Sequence, residues 1–254
     1  MDNSNFNPLD LTGRKILVTG ASSGIGKATA IYLSKLGAQI ILSGRNEERL
    51  NETMLQLNGG NHQILAADLA KEEELGPFFD QMVQDGVKLN GMVHCAGIPY
   101  VMPLQSLTKK RLSDVMETNF FPFIELVRQY AKKKFSSGGS IVCISSILSV
   151  QPRAYESGYI ASKAAMNAAV TSLAFELAKK GIRINGVLAG NIMTEMVEET
   201  LKEYANEEHL NNVIEKSLLG VGKPDDIASV CAFLISDMAT FITGRNMYAD
   251  GGFL

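Results

Sequence analysis

The chain has 254 residues, of which 46% are hydrophobic and 20% charged, a composition typical of a folded globular protein. Its 24 basic and 27 acidic residues give a formal net charge of −3, which argues against nucleic-acid and membrane-surface partners. Three scattered cysteines and three scattered histidines predict neither a disulfide framework nor a metal site, and with no signal-peptide pattern or long apolar run they favour a cytoplasmic protein.

After a polar arm (1–13), short apolar runs alternate with amphipathic stretches to the end of the chain. The runs predict strands at 15–20, 39–43, 62–67, 89–95, 140–146, 182–189 and 244–250. The amphipathic stretches predict helices at 24–36, 46–57, 71–85, 108–134, 158–179 and 224–236. Strands that are apolar throughout are typical of a sheet buried on both faces. The pattern therefore predicts an α/β fold over 14–254, a single-domain doubly wound (Rossmann) parallel sheet of about seven strands with helices on both faces.

The first predicted strand runs into TGASSGIG (19–26) before a helix. Glycine lets backbone approach a pyrophosphate closely, and the amides of a helix N-terminus attract an anion. The G-x-x-x-G-x-G spacing matches neither the G-x-G-x-x-G fingerprint nor the P-loop, and an ordinary glycine turn is the alternative. The residues that we expect to hold the cofactor phosphates are Gly20, Ser22, Ser23, Gly24, Ile25 and Gly26.

The second strand ends without the acidic residue that binds the ribose 2′-hydroxyl of NAD in Rossmann units. Arg45 stands there instead, and its guanidinium suits a 2′-phosphate, which favours NADP(H) over NAD(H). The alternative is that Arg45 is a solvated residue at the start of a helix and that Glu47 or Glu48 reaches the ribose. Further predicted cofactor contacts follow the third and fourth strands, at Asp68, Leu69, Cys95, Ala96 and Gly97, although each could be a plain turn.

Tyr159 and Lys163 stand four residues apart at the start of a predicted helix, on one face. An ammonium group near a phenol lowers its pKa, which would suit a proton-transfer residue. Tyr130 and Lys134 have the same spacing, but they precede a lysine-rich segment that predicts a solvated helix C-terminus. Only the Tyr159–Lys163 pair follows a strand that ends in a serine, Ser146. The hydroxyl of this serine could donate to a carbonyl oxygen.

The helix that carries Lys163 is apolar on all sides, since Glu176 is its only other charged residue between 161 and 178. Such a helix must be buried on more than one side. One side can face the sheet, and the other predicts either a subunit contact or burial within the same chain.

Together these residues resemble the short-chain dehydrogenase/reductase family over nearly the whole chain after the arm. The residues that carry the resemblance are TGASSGIG (19–26), Asp68, the CAG triplet (95–97), Asn119, Ser146, YIASK (159–163), Ile192, Thr194 and the segment 222–252. The resemblance implies a catalytic tetrad of Asn119, Ser146, Tyr159 and Lys163. It also implies nicotinamide contacts at Ile192 and Thr194, a substrate lid at about 194–220, and a homotetramer or homodimer.

The implied reaction is NADP(H)-dependent hydride transfer between nicotinamide and a small-molecule carbonyl or secondary alcohol. In the resembling enzymes the tyrosine exchanges the proton, the serine orients the substrate oxygen and the lysine lowers the pKa of the tyrosine and holds the ribose. The asparagine positions a water that links the lysine to solvent.

Three alternatives remain open for the function. The substrate could be carrier-protein-bound, as in 3-oxoacyl-carrier-protein reductases, with basic residues 109–111 and 132–134 facing the acidic carrier. It could instead be a steroid, sugar or polyol. A non-catalytic NADP-binding protein is the alternative outside enzymes.

Two positions depart from the family pattern. Cys95 stands where asparagine is frequent, and Ala189 with Gly190 replaces the usual Pro-Gly. We expect a modest effect at Cys95, whose cofactor contact is mainly through backbone, and a looser loop after Ala189.

Overall fold

The structure, a computed structural model, describes residues 7–195 and 217–253. Its strands are β1 (Lys15–Thr19), β2 (Gln39–Gly44), β3 (Gln63–Ala66), β4 (Leu89–His94), β5 (Ser136–Ser146), β6 (Ile182–Ala189) and β7 (Asn246–Ala249). Its helices are α1 (Gly24–Lys35), α2 (Glu47–Met54), α3 (Glu72–Met82), α4 (Lys109–Asn119), α5 (Phe121–Tyr130), α6 (Ser157–Leu177) and α7 (Pro224–Ile235).

All seven strands are parallel and pair in the order β3-β2-β1-β4-β5-β6-β7. Strand β1 has β2 on one side and β4 on the other, with Thr19 opposite both Ser43 and His94. The strand order therefore reverses between β1 and β4. In open α/β sheets, ligands bind at this switch point, beyond the carboxyl ends of the strands. The predicted doubly wound sheet is confirmed.

Alternating strand residues build a separate core on each face of the sheet. Ile16 and Val18 pack beneath α1 and α7, whereas Leu17 and Met92 pack beneath α3, α5 and α6. All four side chains are fully buried. This two-sided burial explains why the strands are apolar throughout.

The predicted helix at 108–134 is wrong as one element, because α4 ends at Asn119 and α5 starts at Phe121. Pro122 lies in the first turn of α5, where its missing N–H is harmless, whereas inside one continuous helix it would break a backbone hydrogen bond. Strand β5 also begins earlier than predicted, at Ser136, within the segment expected to be a loop.

The predicted N-terminal arm is described only from residue 7, and Leu11 in it is fully buried, with its N–H donating to the Leu36 carbonyl at 2.8 Å. Most of the predicted lid, at 196–216, lies outside the described residues. No helix in the two described segments is long and apolar enough to cross a membrane.

Candidate active site

A cleft of about 900 Å³ follows the carboxyl edge of the sheet. Every residue that the sequence predicts as a cofactor contact lines this cleft, from the 20–26 loop to Ile192 and Thr194. Ser146, Tyr159 and Lys163 line the same cleft, whereas Asn119 is fully buried behind it. The fold thus brings residues that are up to 174 positions apart in sequence (20 and 194) to one site.

The glycine loop is packed too tightly for side chains at two of its positions. A Cβ on Gly20, whose φ is +65°, would lie 2.8 Å from the Ala96 nitrogen. A Cβ on Gly26 would lie 2.1 Å from the Gly20 carbonyl oxygen. Ser23 precedes α1 and makes no capping hydrogen bond with its side chain, so the first turn of the helix is presented to the cleft. This cradle of backbone at a helix N-terminus fits a pyrophosphate.

The cleft beyond β2 is basic. Arg45 is exposed and lines the cleft, as does Arg49, four residues further on. Glu47 and Glu48 lie in the first turn of α2 and are not among the described residues that line it. Their position suits the helix dipole better than a ribose contact.

Arg49 is a candidate that the sequence interpretation missed. Its guanidinium forms an ion pair with Glu195, which immediately follows the predicted nicotinamide contact Thr194. The pair therefore links α2 to the residue that follows Thr194. The sequence carries little signal for it, because Arg45 precedes the N-cap Asn46 and only Arg49 belongs to α2, so helical spacing does not relate the two residues.

Tyr159 and Lys163 lie at the start of α6 with Ser146 at the end of β5. Burial raises the pKa of the Tyr159 phenol to about 12, although a hydrogen bond from Ser146 opposes the shift. Lys163 is only 4% exposed, and burial lowers the pKa of its ammonium group to about 8. These directions leave a protonated phenol beside a lysine that titrates near neutral pH.

The position of the Lys163 ammonium differs from the simple expectation that it lowers the pKa of Tyr159. Its Nζ lies 5.8 Å from the centre of the Tyr159 ring and donates to the Ile144 carbonyl at 2.8 Å. Burial therefore dominates the pKa of the phenol in this arrangement.

Asn119 is the last residue of α4, just before the break at Phe120. Its Oδ1 accepts from the Ile98 N–H at 2.8 Å, and its Nδ2 donates to the Ile98 carbonyl at 3.0 Å and to the Ser162 hydroxyl at 3.1 Å. It thus ties the segment after β4 to α6, next to Gly97, where a Cβ would lie 3.3 Å from Oδ1 and 3.4 Å from the Lys163 Nζ.

A second set of polar residues supports the turn that carries Ser146. The Ser149 hydroxyl donates to the Ser146 carbonyl at 2.5 Å, and the Asn167 amide donates to the Ser149 hydroxyl at 2.7 Å. Asn167 lies one helical turn beyond Lys163, on the face that already carries Tyr159. The sequence interpretation missed this support, because the partner of Asn167 is a serine eighteen positions earlier.

The two departures from the family pattern have visible environments. Burial raises the pKa of the Cys95 thiol, so the group stays neutral, which is consistent with a backbone role. The segment after Ala189 is held in place, since the Gly190 N–H donates to the Ala249 carbonyl at 3.0 Å and the Met193 N–H to the Gly222 carbonyl at 2.9 Å. The expectation of a looser loop after Ala189 stays a prediction.

Charged residues also line the cleft beyond Tyr159. Arg153 donates from Nε to the Glu156 carboxylate at 2.5 Å, and both residues border the cleft together with Tyr155. In contrast, the described residues contain no cluster of three or more histidine, cysteine or acidic side chains suited to a metal ion.

Comparisons with known proteins agree with this geometry. A family model described as enoyl-(acyl carrier protein) reductase matches residues 20–254. The chain is 35% identical to the 3-oxoacyl-[acyl-carrier-protein] reductase FabG of Rickettsia felis, over 97% of this chain and 99% of that one. It is 32% identical to glucose 1-dehydrogenase of Gluconobacter oxydans, over 94% and 91% of the two chains.

Solved structures of related enzymes have a similar fold. A short-chain type dehydrogenase/reductase from Mycobacterium marinum superposes with a TM-score of 0.86 at 27% identity, covering 96% of both chains. A variant of the actinorhodin polyketide ketoreductase, crystallised with NADPH, superposes with a TM-score of 0.88 at 27% identity, covering 94% of this chain and 96% of that one.

Proposed function

The chain belongs to the short-chain dehydrogenase/reductase family of NAD(P)-dependent oxidoreductases, which act on alcohol and carbonyl groups. On this premise we propose that it uses NADP(H) and that Tyr159 donates and accepts the proton. The reaction is hydride transfer between nicotinamide and a ketone or the corresponding secondary alcohol. The observation that carries the proposal is the meeting of Ser146, Tyr159 and Lys163 with the glycine cradle in one cleft.

The chain's own residues handle the proton and orient the substrate. In reduction Tyr159 donates its phenolic proton to the substrate oxygen, and in oxidation it takes the proton back. A pKa of about 12 keeps the phenol protonated at neutral pH, so the resting group is ready to act as an acid. Ser146 donates a hydrogen bond to the same oxygen and stabilises the charge that develops there.

Lys163 and Asn119 support this proton transfer. When protonated, Lys163 stabilises the phenolate that Tyr159 becomes, and its pKa of about 8 makes that support depend on pH near neutrality. Asn119 holds the backbone at Ile98 and keeps it against α6. The nicotinamide cofactor, when bound, supplies the hydride acceptor or donor.

The activity test is consumption of NADPH with a panel of ketones, sugars, steroids, quinones and acyl thioesters. Turnover of at least one carbonyl compound that is lost in Tyr159→Phe supports the proposal. A protein that binds NADPH but turns over none of them is the non-catalytic alternative, and equal activity of Tyr159→Phe refutes the role of the tyrosine.

Arg45 and Arg49 support the preference for NADP(H), because two guanidinium groups border the cleft beyond β2 and Glu47 and Glu48 do not. The test is the affinity for NADPH and NADH, read from cofactor fluorescence in a chain that has no tryptophan. Arg45→Ala should lower the affinity for NADPH at least about tenfold and leave the affinity for NADH nearly unchanged. Arg128→Ala, on α5, serves as the control. Tighter binding of NADH by the wild type would contradict the preference.

The specific alternative is reduction of 3-oxoacyl groups on a carrier protein, favoured by the similarity to the Rickettsia felis reductase. Of the two basic segments, exposed Lys109 and Lys110 start α4 on the side of the cleft. Lys132 and Lys133 precede β5, at the opposite end of the sheet. Replacing Lys109 and Lys110 with glutamate should then raise the KM for a carrier-bound substrate alone, and the same change at Lys132 and Lys133 is the control.

We also propose a homotetramer or homodimer, assembled through α6. The outer side of this helix exposes Ala161, Ala168, Thr171 and Phe175, and the Phe175 side chain is 78% exposed. No described part of the same chain covers this surface, so we expect a second copy of the chain to pack against it. Light scattering of the wild type and Phe175→Glu tests it. The three free thiols favour a reducing compartment, and we expect a cytoplasmic enzyme.

A further inference from the structure

The wall of the cleft beyond Tyr159 carries an ion pair. Arg153 and Glu156 lie between β5 and α6, and the Arg153 Nε donates to the Glu156 Oε1 at 2.5 Å. The side chain of Arg153 is 39% exposed and that of Glu156 only 11%. Both residues line the same cleft as Tyr159.

Both charges act on the reacting group. The Glu156 carboxylate raises the pKa of the Tyr159 phenol and the Arg153 guanidinium lowers it. An ion pair of this kind on an open surface contributes little to stability. Its position, more than its strength, therefore indicates a role in the cleft.

The segment that carries the pair is held in an unfavourable backbone conformation. Tyr155 has a φ of +68°, which is uncommon and unfavourable for a bulky residue. Its carbonyl accepts a hydrogen bond from the Met102 N–H at 2.6 Å, which fixes it to the loop between β4 and α4. Strain that persists beside a reacting residue is typical of a preorganised site.

We infer, on the basis of the proposed oxidoreductase function, that Arg153 and Glu156 select a hydroxylated, polyol- or sugar-like substrate. Within the described residues Arg153 forms its hydrogen bond through Nε alone, which leaves both Nη atoms to donate to substrate oxygens. Glu156 accepts from substrate hydroxyl groups. The pair as a whole has no net charge and combines donors with an acceptor, which matches neighbouring hydroxyl groups better than an anion.

The same pair disfavours an acyl chain or a steroid. Methylene groups laid over a carboxylate and a guanidinium remove water without replacing its hydrogen bonds, and this desolvation is costly. Hydroxyl groups replace those bonds. A site built to hydrogen-bond a substrate hydroxyl group can discriminate against an analogue without that group by a factor of about 10,000 in kcat/KM. The apolar residues Ile98, Pro99 and Val101, which also line the cleft, suit the carbon face of a sugar.

The test compares substrates of equal carbon number, a hexitol against hexan-2-ol in oxidation and a ketohexose against hexan-2-one in reduction. We expect the wild type to favour the hydroxylated compound by at least about 100-fold in kcat/KM. In Glu156→Gln and in Arg153→Gln this ratio should fall about tenfold or more. Glu125 and Arg128 form a matched i, i+3 ion pair on α5, with side chains 13% and 55% exposed, and Glu125→Gln and Arg128→Gln should leave the ratio unchanged.

A second readout separates binding from chemistry. Titration of the Tyr159→Phe variant loaded with NADPH, followed by cofactor fluorescence, should show tighter binding of the ketohexose than of hexan-2-one. Preference of the wild type for the apolar compound overturns the inference. So does a kcat/KM ratio between the hydroxylated and the apolar substrate that changes no more in Glu156→Gln and Arg153→Gln than in Glu125→Gln and Arg128→Gln. Turnover of the apolar compound that requires Tyr159 then still supports the proposed function. If neither class is turned over, the binding comparison alone decides between hydroxylated and apolar ligands.

Discussion

The chain contains the same tyrosine–lysine spacing twice, with opposite outcomes. Tyr130 is the last residue of α5, so Lys134 lies beyond the helix and is not on the same face. Lys134 instead pairs with Asp80 at 2.5 Å on the surface. Tyr159 is the third residue of α6, a helix of 21 residues, so its lysine follows on the same face. The spacing brings two side chains together only when both belong to one helix.

The two tyrosines also differ in what burial does to them. Tyr130 is fully buried at the amino end of β5, where its hydroxyl donates to the Gly138 carbonyl at 3.0 Å. The expectation of a solvated helix end is therefore wrong for Tyr130 and holds only for the exposed lysines after it. Burial raises the pKa of both phenols, but of the two only Tyr159 is among the described residues that line the active-site cleft. A shifted pKa becomes functional only where a substrate has access.

The largest expected difference between the two sites is in catalysis. Tyr159→Phe removes the exchangeable proton and should lower kcat by about 100- to 10,000-fold. Tyr130→Phe should leave kcat within about twofold, since no reacting group lies near it. Steady-state kinetics with NADPH and the best ketone measures both. A similar loss in the two variants, each shown to be folded by circular dichroism, would mean that the comparison fails.

The lysines provide the next contrast. Lys163→Met should lower kcat by about 100-fold, because no ammonium group then stabilises the Tyr159 phenolate, whereas Lys134→Met should have no effect on kcat. With the pKa of Lys163 at about 8, the lysine is charged below that pH, so the reduction rate should be level there and fall about tenfold per unit above it. This decline should be absent from the pH profile of Lys163→Met and present in that of Lys134→Met.

A third residue on the active face sharpens the comparison, because the Tyr130 site has no counterpart of Asn167. Asn167→Leu removes the hydrogen bond to the Ser149 hydroxyl, so the turn that carries Ser146 should be less firmly held. This should lower kcat about tenfold with little change in KM. Ser149→Ala breaks the same contact, so the losses in kcat should not add in the double variant. Additive losses in kcat, or effects on thermal stability alone, would assign Asn167 a structural role.

The sequence predicts the fold well because each layer has its own periodicity. Parallel strands joined by crossovers end at one carboxyl edge, and this edge collects the residues at the strand ends. Pro122 favours a helix start near Phe120, since proline inside a helix removes a backbone bond, but Pro77 lies inside the continuous helix α3, so a proline alone does not predict the break. The early start of β5 at Ser136 could not be predicted, because its strand pairing depends on β4 and β6 and not on local propensity.

Within the site, residues at strand ends and in glycine loops were predictable, and residues that act through tertiary contacts were not. Asn119 gives no local sign that it bridges Ile98 and Ser162. Arg153 and Glu156 have the spacing of an ordinary surface ion pair, and only the fold places them beside Tyr159. Charge spacing gives direction along a helix but not what the helix faces.

The smallest expected effect belongs to the site without chemistry. Tyr130→Phe removes the hydroxyl that donates to Gly138 and leaves that carbonyl without its side-chain partner, which should lower the free energy of unfolding by about 1–3 kcal/mol. Gly139 is packed close by, since a Cβ there would lie 2.7 Å from the Tyr130 oxygen, so the site cannot easily rearrange to recover the bond. Tyr248→Phe, at a side chain that is 60% exposed, is the control and should change the free energy by less than about 0.5 kcal/mol. Urea unfolding measures both, and a loss below about 0.5 kcal/mol in Tyr130→Phe would contradict a contribution of its buried hydroxyl to stability.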